Sequence, residues 1–165
     1  MELVPARGEH LGMIMELINQ AKEFLRSNGV DQWQQGYPDE ACIERDIKTG
    51  KGYLCVQQDG IVGYLCIDFD GEPAYDTLNG RWLSEQPYVV VHRMTFDRNV
   101  RGTGLASKAF TLTEELSRAR GVHSFKIDTD NDNKIMKHLM AKNGFTYCGT
   151  ICFDNSEKIA YEKLI

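Results

Sequence analysis

The sequence predicts an α/β domain, a mixed sheet of about seven strands with about four helices on its faces, and three observations carry that prediction. Its 165 residues suit one domain with a sizeable core, since ~150 residues is the ordinary domain size. Hydrophobic residues at 42% and charged residues at 26% match globular averages and exclude disordered and fibrous classes. Segments with helical apolar spacing alternate with β-branched segments of period two, in the order β-α-α-β-β-β-α-β-α-β-β. No repeat and no linker interrupts this order, so residues 1–165 read as a single domain.

Residues 2–6 form a short strand candidate. Leu11, Ile14, Met15, Ile18, Ala21 and Leu25 then recur at helical spacing up to Asn28-Gly29, where glycine stops the helix. A polar loop bearing aromatics follows at 30–38, and a second helix over 39–48 ends at Gly50. Segments 53–57 and 61–69 alternate, and Gln58-Asp59-Gly60 between them supplies the positive φ of a tight hairpin. Residues 70–86 are rich in Gly, Pro, Asp and Asn and predict a surface excursion. Strand 87–96 carries Val89-Val90-Val91 and is apolar enough to be central. The basic segment 98–104 leads into a helix with Leu105, Ala109, Leu112 and Leu116 on one face. A strand at 124–129, a helix at 135–143 stopped by Gly144, and a hairpin of 145–153 with 158–164 complete the order.

Lys and Arg total 19 against 24 Asp and Glu, a formal charge of −5. Such a chain lacks the basic footprint of a nucleic-acid or anionic-membrane binder, so any anionic ligand needs a local patch. Apolar runs such as 88–91 are far shorter than the ~20 residues of a spanning helix. The opening Met1-Glu2-Leu3-Val4-Pro5 does not read as an export signal, and a cytoplasmic protein is expected. The five cysteines, Cys42, Cys55, Cys66, Cys148 and Cys152, form no C-x-x-C pair and read as reduced core residues. Asp128, Asp130 and Asp132 imitate the start of a calcium loop, but Asn133 and Leu139 stand where its glycine and twelfth ligand belong, so no metal is expected.

The segment with the strongest chemical content is His92-Arg93-Met94-Thr95-Phe96-Asp97-Arg98-Asn99-Val100-Arg101-Gly102-Thr103-Gly104-Leu105-Ala106. Strand, glycine turn and helix start make a nest of outward amides beside Arg101, suited to a pyrophosphate. A Walker loop cannot be laid on it, and Ser107 replaces the third glycine of a dinucleotide fingerprint.

Arg101-Gly102-Thr103-Gly104-Leu105-Ala106 resembles the Q/R-x-x-G-x-G/A loop of the GNAT superfamily of acyl-CoA-dependent N-acyltransferases at every fixed position. Met94-Thr95-Phe96 resembles the L-x-V stretch closing that family's fourth strand, and Asn133-x-x-Met136 with Gly144-Phe145 resembles its N-x-x-A and G-F segment. The resemblance spans nearly the whole chain. It implies a GNAT-like fold with splayed fourth and fifth strands and acetyl-CoA as cosubstrate. The amides of Arg101, Gly102, Thr103, Gly104, Leu105 and Ala106 would bind the pyrophosphate, and backbone at Met94 and Phe96 would pair with the pantetheine arm, with Asn133 beside it. A neutral amine would attack the thioester while an amide near Met94 stabilises the developing oxyanion.

Amines with pKa near ~10 need a proton acceptor at neutral pH. His92, two residues before Met94, is the candidate base, and a hydrogen-bonded core histidine is the equal alternative. Many relatives carry a tyrosine seven residues after the asparagine to protonate the leaving thiolate. Here that position is Met140, which leaves solvent or another hydroxyl, Tyr147, for the task. The variable loops holding Trp33, Tyr37, Tyr75 and Trp82 are expected to recognise the acceptor, with Asp31, Asp39 or Glu40 available to a cationic amine, while capping of the core beneath the loop is the alternative for each ring. The implied function is transfer of acetyl from acetyl-CoA to a primary amine of a small molecule or a peptide. A non-catalytic acyl-CoA-binding domain is the alternative, and monomer and homodimer both stay open.

Overall fold

The computed structural model describes residues 1–58, 60–153 and 156–165. The strands are β1 (Glu2–Pro5), β2 (Gly52–Gln57), β3 (Gly60–Asp68), β4 (Asn79–Gly80), β5 (Val89–Phe96), β6 (Ser124–Thr129), β7 (Thr146–Phe153) and β8 (Ser156–Leu164). The helices are α1 (Leu11–Ser27), α2 (Glu40–Lys48), α3 (Leu105–Ala119) and α4 (Lys134–Lys142). Hydrogen bonding orders the sheet β1-β2-β3-β5-β6-β8-β7-β4. The chain divides into two compact units, Met1–Ile67 with Val91–Leu112 and Asp68–Val90 with Thr113–Ile165.

In the first unit β1, β2 and β3 form an antiparallel meander, with Leu3 opposite Cys55 and Leu54 opposite Tyr64. The apolar stripe read on α1 is its inner face. Ile14, Leu17 and Ile18 pack with Ile43 of α2 and with Leu54 and Tyr64 of the sheet. Ile14, Ile18 and Ile43 have no exposed surface, and full burial of each is worth roughly 1.5–3 kcal/mol relative to exposure. The Asp39 carboxylate caps α2 by accepting from the Cys42 amide at 2.9 Å, so the helix starts one residue later than read. The Asp59 of the expected hairpin turn lies outside the described residues.

In the second unit β6, β8 and β7 run antiparallel, with Ile127 opposite Tyr161 and Tyr147 opposite Tyr161 on its other side. Val89↔Phe125 and Val90↔Lys126 are the parallel pairs of β5 with β6. Tyr75, Val90, Ile151 and Ala160 form the core here. Asn133 caps α4, accepting from the Met136 amide at 3.0 Å. The Glu162 carboxylate on β8 has no exposed surface. It accepts from the Leu83 amide at 2.6 Å, the Ser84 hydroxyl at 2.6 Å and the Ser124 hydroxyl at 2.7 Å, which supplies the donors that a buried carboxylate requires.

Three expectations are corrected. Among the described residues the sheet has eight strands rather than about seven, because Asn79 and Gly80 inside the excursion pair with Thr150 and Gly149 of β7. Two residues, one of them glycine, give no strand pattern to read. Their approach is so close that a Cβ on Gly80 would stand 2.1 Å from the Cys148 carbonyl and one on Gly149 2.3 Å from the Asn79 carbonyl, so only glycine fits at either position. Tyr75, one of the rings expected to recognise the acceptor, is buried in the core instead, its hydroxyl donating to Asp128 at 2.7 Å. Cys152 is exposed while the other four cysteines are buried, because β7 alternates and Ile151 takes the inward position.

Candidate active site

The backbone of β5 is irregular at one residue of the first unit. Arg93 has φ 53°, the left-handed region, which costs a side-chain-bearing residue roughly 1–2 kcal/mol. Such a conformation persists where its surroundings over-determine it. Here Arg93 Nε donates to Asp46 Oδ2 at 2.8 Å and Nη2 to Oδ1 at 2.7 Å, while Nη1 donates to the Tyr37 hydroxyl at 2.6 Å. The Tyr64 hydroxyl donates to the same Asp46 carboxylate at 2.8 Å. The Arg93 and Asp46 side chains are 11% and 7% exposed, so this fork-to-fork pair stands largely out of water. Burial pushes the Tyr37 hydroxyl up to about 12, against the opposing pull of Arg93.

Neither charged residue was among the sequence-predicted site residues, although a signal exists. Asp46 falls three and four positions after Ile43 and Cys42, which places a carboxylate on the buried face of α2. His92 and Met94 flank Arg93 and are both half-buried. The left-handed residue between them interrupts the regular alternation of the strand.

After β5 the chain turns at Asp97, whose carboxylate accepts from the Asn99 amide at 2.8 Å. That contact holds the acid below the ordinary carboxylate range. Gly102 and Gly104 follow at φ 77° and 87°, and no atom lies within 4 Å of where a Cβ would stand on either. α3 begins at Leu105, and its first amides have no intrahelical acceptor and carry the positive end of the helix dipole. Open space over two glycines at a helix start is a cradle for an anion. It fits the pyrophosphate of an acyl-CoA.

Gln20 of α1 braces this loop. Its Oε1 accepts from the Arg98 amide at 3.0 Å, its Nε2 donates to Asp97 at 3.3 Å, and its carbonyl accepts from Arg101 Nη2 at 3.0 Å. The Arg101 guanidinium also lies 4.3 Å from the centre of the Phe24 ring, and burial lowers its pKa. Arg101 therefore spends its side chain on α1, and the loop offers the ligand backbone donors. Gln20, Glu23, Phe24, Ser27, Arg98 and Arg101 line a cleft of about 290 Å³ beside it.

The remaining candidates are placed as follows. Trp33, at φ 67°, packs on the core of the first unit. Trp82 packs on the core of the second, with its indole N–H donating to the Tyr75 carbonyl at 3.1 Å and its ring 5.2 Å from that of Tyr75. Tyr147 is 55% exposed on β7 beside Tyr161. Met140 is wholly buried, as an apolar contact on α4 should be. Asp39 is committed to its cap, whereas Asp31 and Glu40 are exposed. The structure thus brings Tyr37, residues 91–96 of β5 and the glycine loop into the first unit, while Asn133, Trp82 and Tyr147 belong to the second. Among the described residues no helix is long and apolar enough to cross a membrane.

A mixed sheet flanked by four helices, with a glycine loop opening the third, defines a class of acyltransferases. Residues 12–145 match the acetyltransferase (GNAT) family, and the chain belongs to it. A GNAT-family acetyltransferase of Streptococcus agalactiae 2603 is 30% identical, with 99% of this chain and 95% of that one covered and a TM-score of 0.89. Two more distant structures share the fold. The ribosomal-protein-alanine N-acetyltransferase of Brucella melitensis is 16% identical over all of both chains, with a TM-score of 0.69. The aminoglycoside acetyltransferase AAC(6')-Ib, in complex with coenzyme A and kanamycin, is 17% identical over 99% of this chain and 94% of that one, with a TM-score of 0.70. No curated protein matches the chain.

Proposed function

We propose that the protein transfers the acetyl group of acetyl-CoA to a primary amine. The observation that carries this reading is the open cradle over Gly102 and Gly104 at the start of α3. The coenzyme A bound by AAC(6')-Ib supports it. Acetyl-CoA supplies an activated thioester carbonyl for the amine to attack. The loop amides from Arg101 to Ala106 hold the pyrophosphate, and backbone groups of Met94 and Phe96 hold the pantetheine arm by hydrogen bonds. The Met94 amide donates to the carbonyl oxygen as charge develops on it. His92 receives the proton that the amine must lose, directly or through water. The sulfur leaves as a thiolate, which solvent protonates, since a thiol with pKa near ~8.5 departs tolerably at neutral pH.

For the acceptor, Trp33 and Tyr37 of the loop at 30–38 are the proposed recognition groups. Kanamycin bound to one distant relative and the ribosomal-protein alanine named for another bracket the choice between a small polyamine and a peptide amine. The deciding experiment follows free thiol release from acetyl-CoA across polyamines, amino acids, arylamines, aminoglycosides and peptides. Saturable release with one class identifies the acceptor. Coenzyme A binding with no release from any amine refutes transfer and leaves an acyl-CoA-binding domain.

A further inference from the structure

We propose that Asp46 and Tyr37 are positioning residues for the transfer, holding Arg93 in its left-handed conformation and thereby setting where the Met94 amide stands. This rests on the acetyltransfer reading. The geometry supports it from three directions. Arg93 is the residue immediately before the proposed oxyanion donor, and its φ of 53° is one that an arginine does not adopt unaided. Its guanidinium is gripped on both edges, by the paired oxygens of Asp46 and by the Tyr37 hydroxyl, all within 2.6–2.8 Å. The Asp46 carboxylate is itself fixed by Tyr64 from β3, so the grip has α2 and the sheet behind it and cannot drift with Arg93.

The consequence of release follows from the pleat. Were Arg93 to return to an extended φ, the alternation of β5 would resume through it. Every residue from Met94 onward would then exchange faces relative to His92. The Met94 amide would then stand elsewhere relative to His92. Lysine cannot replace Arg93 here, because a single ammonium has no planar fork to make the two parallel bonds to Asp46 and the third to Tyr37 at once. The same three residues also link the loop at 30–38 to β5. The acceptor-facing loop and the proposed catalytic strand are thus fastened to one another through a single guanidinium.

The test compares the full-length wild type with Tyr37→Phe, Arg93→Lys and Asp46→Asn. Amide hydrogen exchange, kcat, both KM values and the melting shift on adding coenzyme A are measured for each. Exchange at Met94 and Thr95 should accelerate ~10-fold or more while Leu54 and Cys55 keep wild-type rates, because the clamp acts on β5 and not on β2. In Arg93→Lys and Asp46→Asn, kcat should fall ~10- to 100-fold, the scale of a misplaced reacting group. The smaller change Tyr37→Phe should lower kcat ~3-fold. In all three the KM for acetyl-CoA and the coenzyme A melting shift should change less than kcat, because the glycine loop keeps its hold on the pyrophosphate while only the Met94 and Phe96 contacts to the pantetheine arm move, a split that general loss of structure would not produce. If Asp46→Asn fails to fold, the other two variants decide the matter. Wild-type kcat in folded Tyr37→Phe and Arg93→Lys, or unchanged exchange at Met94, overturns the proposal. So does a defect of Tyr37→Phe confined to the acceptor KM, which would make that hydroxyl a substrate contact. Exchange needs no turnover, so a wild type that is silent with every amine refutes the transfer reading separately from the clamp.

Discussion

α3 carries a left-handed glycine beyond each end, Gly104 before it at φ 87° and Gly121 after it at φ 72°, and the pair makes an internally controlled test of the anion cradle. Neither has an atom within 4 Å of a Cβ position, so alanine at either meets no neighbour. The left-handed backbone penalises alanine by roughly 1–2 kcal/mol, and the reduced freedom of the unfolded chain returns about 0.4–1 kcal/mol of it. Both Gly104→Ala and Gly121→Ala should therefore lose about 0.5–1 kcal/mol. At roughly 2–4 °C per kcal/mol for a domain of this size, Tm falls by about 1–4 °C in each.

The ligand separates them. Coenzyme A at ~100 times its Kd stabilises the folded state by about 2.7 kcal/mol, a rise of roughly 5–11 °C. In Gly121→Ala the whole rise should remain. In Gly104→Ala the new methyl stands in the open space assigned to the phosphates. A ~100-fold weaker Kd at the same concentration leaves only ~0.4 kcal/mol, about 1–2 °C. Differential scanning fluorimetry with and without coenzyme A reads all four values. Equal rises in the two variants would refute the assignment of the loop as the anion site, whatever the basal Tm values.

His92→Ala should lower kcat and remove the acidic limb of the pH–rate profile while leaving coenzyme A affinity near wild type. A retained limb would make His92 a core histidine. Tyr147→Phe should reduce kcat less than ~10-fold, below the ~10²–10⁴-fold range of a general acid, and a loss of ~10²-fold with intact acetyl-CoA binding would make it the acid. Burial raises the Asp128 carboxyl to about 6, so the folded state binds its proton more tightly than the unfolded chain does. The associated stability is present below about pH 4 and is lost as pH rises through about 6, by up to ~3 kcal/mol. Urea unfolding at pH 4 and pH 7 should show this decline in the wild type and a smaller one in Asp128→Asn. Parallel declines in the two would show that another group is responsible.

The sheet and helices were legible because each buries one face. The Leu11-to-Leu25 stripe and the three valines of β5 state their partners in their spacing, and Asn133 and Asp39 mark helix starts through side-chain chemistry that acts within a few residues. The left-handed glycines before α3 were legible for the same reason, since a glycine turn opening a helix is local backbone. What the sequence hid is non-local. The union of Asp46 with Arg93 spans 47 positions, and nothing within a strand's own pattern announces a left-handed arginine. Tyr75 and Trp82 sit in a polar, turn-rich segment and so looked exposed. Their burial depends on Val90, Ile151 and Ala160, residues from three other strands. β4 exists only because two glycines 69 positions apart come together.

Glu162 gives the excursion a history as well as a shape. The amide of Leu83 finds its acceptor 79 positions further along the chain. A ribosome adding ~5–20 residues per second therefore leaves that amide and the Ser84 hydroxyl to water for several seconds before the carboxylate emerges. β1 and β2 meet all their strand partners within the first 68 residues and need no such delay. The path of residues 81–84 is thus among the last features a nascent chain can acquire. A chain cut short before Glu162 could complete the β1–β3 meander but would lack the acceptor for Leu83 and Ser84, and those residues are where proteolysis of such a fragment should begin.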